Sequence, residues 1–167
     1  AAGFDAVPAG LDWVEAEADR TFTHLADVPL EQRGALLLGD VFADAAAHAM
    51  VPDLLSVIDA WRPDLILRND YEFGSCVAAE LREVPHASVS ICFFMPPTLL
   101  QRVIGEQLAY LRSAFGLAPS PATSMLYPSL YLTYATAVLE PASDPAIRHI
   151  GFPLAAGGAG VEALDRL

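Results

Sequence analysis

The chain has 167 residues, a hydrophobic fraction of 54% and a net charge of −12 at pH 7. This length and a mean hydropathy of +0.39 predict one folded domain and exclude a disordered segment. All nine basic residues are arginine. Nucleic acids and anionic membrane surfaces bind through clustered cations, so we expect neither of them as a partner.

No export or membrane signal is visible in the hydrophobic pattern. No stretch approaches the roughly 18 consecutive apolar residues of a membrane helix. Residues 1–10 lack the basic and apolar regions of a signal peptide. We therefore expect a cytoplasmic protein, in which the two cysteines, Cys76 and Cys92, are reduced thiols of the core.

The predicted elements alternate between helices and short apolar strands in chain order. Proline and glycine punctuate residues 1–29, which read as irregular. Helices are expected at residues 30–50, at 53–61 after an interruption at Pro52, at 73–83, and from Pro96 to a cap at Gly116. Strands are expected at residues 65–67, 87–94, 129–138 and 147–152.

This order predicts an α/β fold in which a parallel sheet is covered by helices on both faces. The strands near residues 64–68 and 87–93 should be adjacent and parallel, because a strand–helix–strand unit forms one right-handed crossover. Residues 155–167 read as a linker. Both ends look truncated, since a doubly wound sheet normally begins with a strand and no strand precedes the first helix.

A group of polar side chains follows the first predicted strand, in the sequence RPDLILRNDYEFGSCVAAE of residues 62–80. Open α/β sheets bind ligands at the carboxyl ends of their strands. There Asp70 and Glu72 could hold hydroxyl groups, orient a histidine or act as acid–base groups. Alternatively, the two carboxylates stabilise the N-terminus of the next helix through its dipole. The two roles are compatible, and both stay open at this point.

Phe93, Phe94 and Met95 close the strand at residues 87–94 and either line a pocket for a hydrophobic ligand or pack in the core. Other motifs are weak. GAGVEA at residues 158–163 loosely matches a dinucleotide fingerprint but lacks the helix, strand and acidic residue that must follow it. The four histidines show no metal-ligand spacing, so no metal site is predicted. Neither a nucleophile elbow nor a phosphate-binding loop is present.

Residues 62–91, RPDLILRNDYEFGSCVAAELREVPHASVSI, are similar to the central block of bacterial glycosyltransferases that decorate macrolides, polyketides and related natural products. In that block a PDLI strand leads to a polar R-D-x-x-E-x-G turn, an AAE helix and a VPH strand start. IRHIGFPL at residues 147–154 resembles the segment that closes the family's N-terminal domain. AAGFDAVPAG at residues 1–10 resembles the stretch after the second strand of that domain.

The resemblance implies the GT-B fold, in which an N-terminal Rossmann-like domain binds the acceptor and a C-terminal one binds the nucleotide sugar. Residues 1–154 would form part of the acceptor-binding domain without its first strands, and residues 155–167 the interdomain linker. The family's general base is a histidine in a segment that this sequence does not include. The nucleotide-sugar donor would bind the C-terminal domain, so no cofactor is expected in this chain.

The resemblance also implies roles for individual residues. Glu72 matches its motif position directly, whereas Asp70 matches the carboxylate that orients the histidine only with a one-residue shift, since Asn69 stands in its place. The acceptor would meet the side chains of Asn69, Tyr71, Glu72, Phe93, Phe94 and Met95.

The expected function is the acceptor-binding part of a glycosyltransferase of the hexosyltransferase type. It would act on a hydroxyl group of a hydrophobic natural product, be inactive by itself, and have an auxiliary or second subunit as a further candidate partner. The alternative is a non-catalytic binding or auxiliary protein related to glycosyltransferases.

Overall fold

The computed structural model describes residues 3, 5–14, 17–91, 94–135 and 147–150. Its four-stranded sheet has the order β1-β2-β3-β4, with strands Ile66–Asn69, His86–Val89, Tyr131–Thr133 and Ile147–His149. All three pairings are parallel, and Ile66 lies opposite His86 in the first of them. The predicted parallel α/β sheet and the adjacency of its first two strands are confirmed.

The bounds of the strands differ from the predicted ones. β1 starts at Ile66 and continues through Arg68 and Asn69, which pair with Ser88 and Val89 of β2. The prediction that all the polar residues follow the strand is therefore wrong for Arg68 and Asn69. Arg68 can lie in a buried strand because its guanidinium group is hydrogen-bonded there. β2 already ends at Val89. The predicted strand positions 92, 93, 136–138 and 151–152 lie outside the described residues, as does the predicted linker.

One continuous helix spans Leu30–Trp61. It consists of α2 (Leu30–Leu36), a π-helical segment (Leu37–Ala46) and α3 (Ala47–Trp61). The predicted interruption at Pro52 is wrong, since this residue lies inside α3. A proline removes one helical hydrogen bond, here to the carbonyl of His48. Burial of Ala47, Val51 and Ile58 along the same helix stabilises it against that loss.

By length and composition alone, this helix is apolar enough to cross a membrane, with a mean hydropathy of 1.4 in its most apolar window. The sequence analysis did not predict a helix of this kind, because polar residues interrupt its apolar runs. Core helices can have the same composition, and Ala43, Ala47 and Val51 of this helix lie in the main hydrophobic core.

Two of the remaining helices were predicted and three helical segments were not. α4 (Gly74–Leu81) and α5 (Pro97–Ala114) confirm the sequence analysis. The unpredicted segments are α1 (Ala18–Thr21), a 3₁₀ turn (Thr23–Leu25) and α6 (Ala122–Leu126). They span only 4, 3 and 5 residues, too few to display a helical period in the sequence.

The helices pack on the face of the sheet that carries Arg68, Ser88 and Tyr131. Arg68 and Ser88 both donate hydrogen bonds to the carbonyl of Leu126 in α6, with lengths of 2.6 and 3.2 Å. The π-helical segment and α3–α6 share one core cluster on this side. On the opposite face Leu67 is 61% exposed. Within the described part of the chain, helices thus cover the face of the sheet that carries Arg68, whereas the face that carries Leu67 is exposed at this strand.

Gly74 allows α4 to lie close to α3. A Cβ atom at this position would lie 2.8 Å from the carbonyl oxygen of Ala47 and 2.9 Å from Cβ of Met50. These distances are too short for any side chain at position 74. The glycine therefore fixes the position of the first turn of α4, which directly follows the polar turn.

Candidate functional site

The carboxyl end of β1 opens into a polar turn, which we define as residues 69–72. The side-chain oxygen of Asn69 accepts a hydrogen bond of 2.9 Å from the backbone N–H of Tyr71. This Asx-type contact reverses the chain immediately after the strand. The sequence prediction that polar residues gather at the carboxyl edge of the sheet agrees with this arrangement.

Asp70 links the ends of three strands. It is 3% exposed, and its Oδ1 accepts a hydrogen bond of 3.2 Å from the backbone N–H of Ile91, which follows β2. Its Oδ2 accepts a hydrogen bond of 3.0 Å from the hydroxyl of Tyr131 in β3. Burial raises the pKa of Asp70, although its hydrogen bonds to Ile91 and Tyr131 and the charge of Arg68 act in the opposite direction. The carboxylate therefore connects the polar turn to the segment after β2 and to β3.

Tyr131 is the matching donor for this carboxylate. Its side chain is fully buried, and burial, with the nearby charge of Asp70, strongly raises the pKa of its hydroxyl. The hydroxyl therefore stays protonated at neutral pH and donates to Asp70. Sequence analysis placed Tyr131 in a strand without assigning it a role. The available signal was its alternation with Thr133, which is also buried on the same face of β3.

Arg68 connects the polar turn to the core through hydrogen bonds. Its Nη1 donates to the backbone carbonyls of Asn69 and Glu72, at 2.9 and 3.2 Å, and its Nη2 donates to Leu126. Its Nε has no hydrogen-bond partner among the described residues. This buried cation satisfies carbonyls that would otherwise face the core, and it connects the turn to α6.

Glu72 caps α4. Its two carboxylate oxygens accept hydrogen bonds of 2.8 Å from the backbone N–H groups of Gly74 and Ser75. These are two of the donors that a helix N-terminus leaves without an internal partner. Of the two roles left open for Glu72 in the sequence analysis, the structure thus shows the stabilisation of the helix N-terminus. A contact of Glu72 with an acceptor stays a prediction.

Aromatic rings adjoin the polar turn on one side. The ring of Tyr71 lies 5.8 Å from that of Phe42 in the π-helical segment, and Phe42 lies 5.7 Å from Trp13. Trp13 also makes an edge contact with Phe22 at 5.4 Å. We call these four residues the Trp13 aromatic group. Sequence analysis missed Trp13, Phe22 and Phe42 because their contacts join segments far apart in the chain.

A second aromatic group consists of Phe94, Tyr127 and Tyr131, and it meets Asp70 through the Tyr131 hydroxyl. Phe94 is 5.0 Å from Tyr131 and 5.2 Å from Tyr127, measured between ring centroids. Tyr131 thus contacts both Phe94 and Asp70, and a contact of Phe94 with an acceptor stays a prediction. Met95 packs against the main core, as its alternative interpretation held, and Phe93 lies outside the described residues.

The remaining titratable groups give no sign of metal or thiol chemistry in the described part of the chain. No group of three or more potential metal-ligating side chains occurs there. Cys76 is a buried free thiol, and burial raises its pKa to about 11. A thiol with so high a pKa is a poor nucleophile. Cys92 lies outside the described residues.

A parallel sheet with a polar carboxyl edge places the chain in the Rossmann-like α/β class. No protein-family model matches the sequence. The chain is 33% identical over 105 residues to aklavinone 7-beta-L-rhodosaminyltransferase of Streptomyces galilaeus, a match that covers 52% of this chain and 24% of that enzyme.

Solved glycosyltransferase structures share the fold. The glycosyltransferase VinC, in complex with dTDP, has a TM-score of 0.58 and 23% identity over 86% of this chain, which corresponds to 40% of VinC. SsfS6 of a Streptomyces species, in complex with thymidine diphosphate, has a TM-score of 0.52 and 20% identity over 74% of this chain, or 32% of SsfS6.

The chain is thus homologous to a Streptomyces glycosyltransferase and has the fold of part of the GT-B natural-product glycosyltransferases, which confirms the resemblance seen in the sequence. It spans 24% of the length of the curated relative and 40% of the length of VinC.

Proposed function

We propose that this chain is the acceptor-binding part of a glycosyltransferase that moves a sugar from a nucleotide-sugar donor to a hydroxyl group of a hydrophobic natural product. The observation that carries the proposal is the carboxyl edge of the sheet, where the polar turn contacts one aromatic group through Tyr71 and another through Tyr131. Aromatic rings supply the area that binds a hydrophobic molecule, and a few polar groups fix its orientation.

The similar proteins support particular partners. Two of the structural neighbours were solved with thymidine diphosphate, which makes a thymidine-diphosphate sugar the donor to test. Aklavinone, named as the substrate of the homologous transferase, is the corresponding acceptor. Donor binding would fall to residues outside the matched region.

In this function Asp70 is a positioning residue. Its oxygens accept hydrogen bonds from Ile91 and Tyr131, and these contacts hold the carboxylate at the carboxyl edge of the sheet. From this position it would orient a catalytic histidine supplied by another part of the enzyme. Tyr71 and Phe42 are the side chains that we assign to acceptor contact, together with Phe94.

Acceptor binding is the decisive measurement. Aklavinone should bind the 167-residue chain, and Phe42→Ala should weaken that binding about tenfold, since an aromatic contact contributes roughly 0.5–1.5 kcal/mol in addition to its buried area. Tyr110→Ala, which removes an exposed ring on α5, should leave binding unchanged. Failure of aklavinone and related aglycones to bind would contradict the acceptor role.

Sugar transfer is measured separately. The resemblance implies that the general base and the nucleotide-sugar domain lie outside these 167 residues, so we expect no turnover of thymidine-diphosphate sugars by the chain itself. Turnover would contradict this expectation while leaving the acceptor role intact.

A non-catalytic auxiliary protein is the second candidate. It is favoured by the carboxylates of the polar turn, because those of both Asp70 and Glu72 already accept hydrogen bonds within the fold. An increase in the activity of a complete transferase on addition of this chain would support it.

A further inference from the structure

Residues 10–13 lie against α3, and we call them the Gly10 segment. The backbone N–H of Gly10 donates a hydrogen bond of 2.8 Å to Oδ2 of Asp53. Gly10 has a left-handed conformation, with φ of 77°, and a Cβ atom there would lie 2.9 Å from Cε of Met50. Glycine is therefore favoured here both by the backbone conformation and by the close contact. Met50 and Asp53 are three residues apart on α3 and lie on the same face of that helix.

Met50 also connects the Gly10 segment to the start of α4. A Cβ atom at Gly74, the first residue of α4, would lie 2.9 Å from Cβ of Met50. The backbones of Gly10 and Gly74 therefore approach the same side chain. The N–H of Gly74 donates a hydrogen bond to Glu72, the last residue of the polar turn. The contact with Met50 thus places the Gly10 segment beside the end of this turn.

An aromatic contact connects the other end of the Gly10 segment to the middle of the turn. The ring of Phe42 lies 5.7 Å from that of Trp13 and 5.8 Å from that of Tyr71, measured between centroids. Trp13 is only partly buried, and Leu11 in the same segment is 38% exposed. Apolar side chains therefore continue from Tyr71 and Phe42 along the Gly10 segment, and part of their area is accessible to a ligand.

We propose that Trp13 is an acceptor contact that selects extended polycyclic aromatic molecules, and that Asp53 is the positioning residue that holds Trp13 beside Phe42. This inference rests on the proposed acceptor-binding role of the chain. A small aromatic acceptor would contact Phe42 and Tyr71, whereas an extended one would also cover the accessible part of the Trp13 ring. Aromatic rings supply the area that binds such a molecule, so the added contact favours the larger acceptor.

The direct test is the quenching of Trp13 fluorescence by acrylamide. The chain has two tryptophans, and Trp61 is 78% exposed, so Trp61→Phe leaves Trp13 as the only tryptophan without disturbing the core. Saturating aklavinone should lower the quenching constant about twofold, because the bound acceptor covers the ring. Failure of the chain to bind aklavinone would contradict the proposed function itself. Binding that leaves the quenching constant unchanged would overturn only this inference.

Selectivity is measured with two aromatic alcohols of different size, aklavinone and the smaller 1-naphthol. In equilibrium dialysis, Trp13→Ala should weaken aklavinone binding about tenfold and 1-naphthol binding less than about twofold. Phe42→Ala should weaken the binding of both molecules. Equal losses for the two molecules in Trp13→Ala would indicate a structural effect on the whole site and would overturn the selectivity that we assign to Trp13.

Variants of Asp53 separate positioning from folding. In the Trp61→Phe background, Asp53→Ala should raise the quenching constant of Trp13 without acceptor and weaken aklavinone binding about fivefold, because Gly10 loses its hydrogen bond. Asp53→Asn keeps a side-chain oxygen acceptor and should restore both values. Glu31→Ala, at an exposed carboxylate of α2, is the matched control and should change neither. Unaltered aklavinone binding in Asp53→Ala would contradict the positioning role.

Discussion

At the scale of single residues, the two carboxylates of the polar turn perform different tasks. Glu72 accepts hydrogen bonds from the first N–H groups of α4, so its contacts are local. Asp70 accepts hydrogen bonds from residues 21 and 61 positions away in the chain. Loss of Glu72 should therefore affect one helix, whereas loss of the Asp70 contacts should loosen the whole carboxyl edge.

Glu72→Ala should lower the free energy of unfolding by about 0.5–2 kcal/mol, the usual range for the loss of a helix cap. Glu72→Gln retains one oxygen acceptor and should lose less. Chemical denaturation of both variants measures the effect. Unchanged stability together with a lower kcat/KM in a complete transferase would show instead that Glu72 contacts the acceptor.

Tyr131→Phe should destabilise the protein by about 1–3 kcal/mol at neutral pH and by less near pH 3. The folded-state pKa of Asp70 is raised, so the stabilisation contributed by its protonated form is complete below its unfolded pKa and is lost as the pH rises through the folded pKa. Removing the Tyr131 hydroxyl raises the pKa of Asp70 further. The protein therefore loses more stability when the Asp70 carboxylate is ionised than when it is protonated.

Denaturation of the wild type and of Tyr131→Phe at both pH values tests this sign. Tyr110→Phe, at an exposed ring on α5, is the control and should show no pH-dependent difference. A loss for Tyr131→Phe that is equal at the two pH values would contradict the pairing of its hydroxyl with the Asp70 carboxylate.

At the scale of elements, Arg112 joins α5 to α4 and to the loop that follows α5. Its side chain is buried and donates to both carboxylate oxygens of Glu80 and, twice, to the carbonyl of Ala118. The paired arginine lowers the pKa of Glu80. This single residue therefore couples helices that flank different strands.

Arg112→Ala should destabilise the chain by about 1.5–3 kcal/mol, because the carbonyl of Ala118 loses its donor and Glu80 loses its charge partner. Glu80→Gln should cost less, since Arg112 keeps its bonds to Ala118 and the Glu80 side chain is 43% exposed. Thermal denaturation of both variants tests this order. A larger loss of stability for Glu80→Gln than for Arg112→Ala would contradict the greater contribution that we assign to Arg112.

At the scale of the whole molecule, helices among the described residues cover one face of the sheet, and the opposite face, which we call the open face, carries the exposed Leu67. Leu65 and Leu67 expose apolar side chains at β1, the first strand in the order of the sheet. Apolar side chains on an edge strand favour association between chains. The open face is therefore the part of the chain at which self-association should begin.

Leu67→Thr should reduce concentration-dependent association while changing the free energy of unfolding by no more than about 0.5 kcal/mol, because the side chain is already largely exposed. Sedimentation velocity over a range of concentrations measures the first effect. Leu30→Thr, at an exposed leucine of α2 away from the sheet, is the matched control. Equal association of the two variants would contradict a role for the β1 face.

Features that depend on local periodicity and on contiguous motifs could be predicted from the amino-acid sequence. The apolar stripe of α5 and the strand–helix–strand order around α4 could both be predicted, because each depends on residues close together in the chain. The blocks between residues 62 and 91 were also sufficient to indicate a glycosyltransferase, since the resemblance is carried by motifs in sequence order.

The partners of the polar side chains became visible only in the folded chain. Three contacts join residues that are 61, 29 and 58 positions apart: the hydrogen bond of Tyr131 to Asp70, the tilted ring contact of Phe42 with Tyr71, and the hydrogen bond of Arg68 to Leu126. The path of the long helix through Pro52 was decided in the same way, by burial of its neighbours rather than by the local preference of proline. Packing partners that are distant in the chain leave no periodic trace in one sequence, since many arrangements bury the same residues equally well.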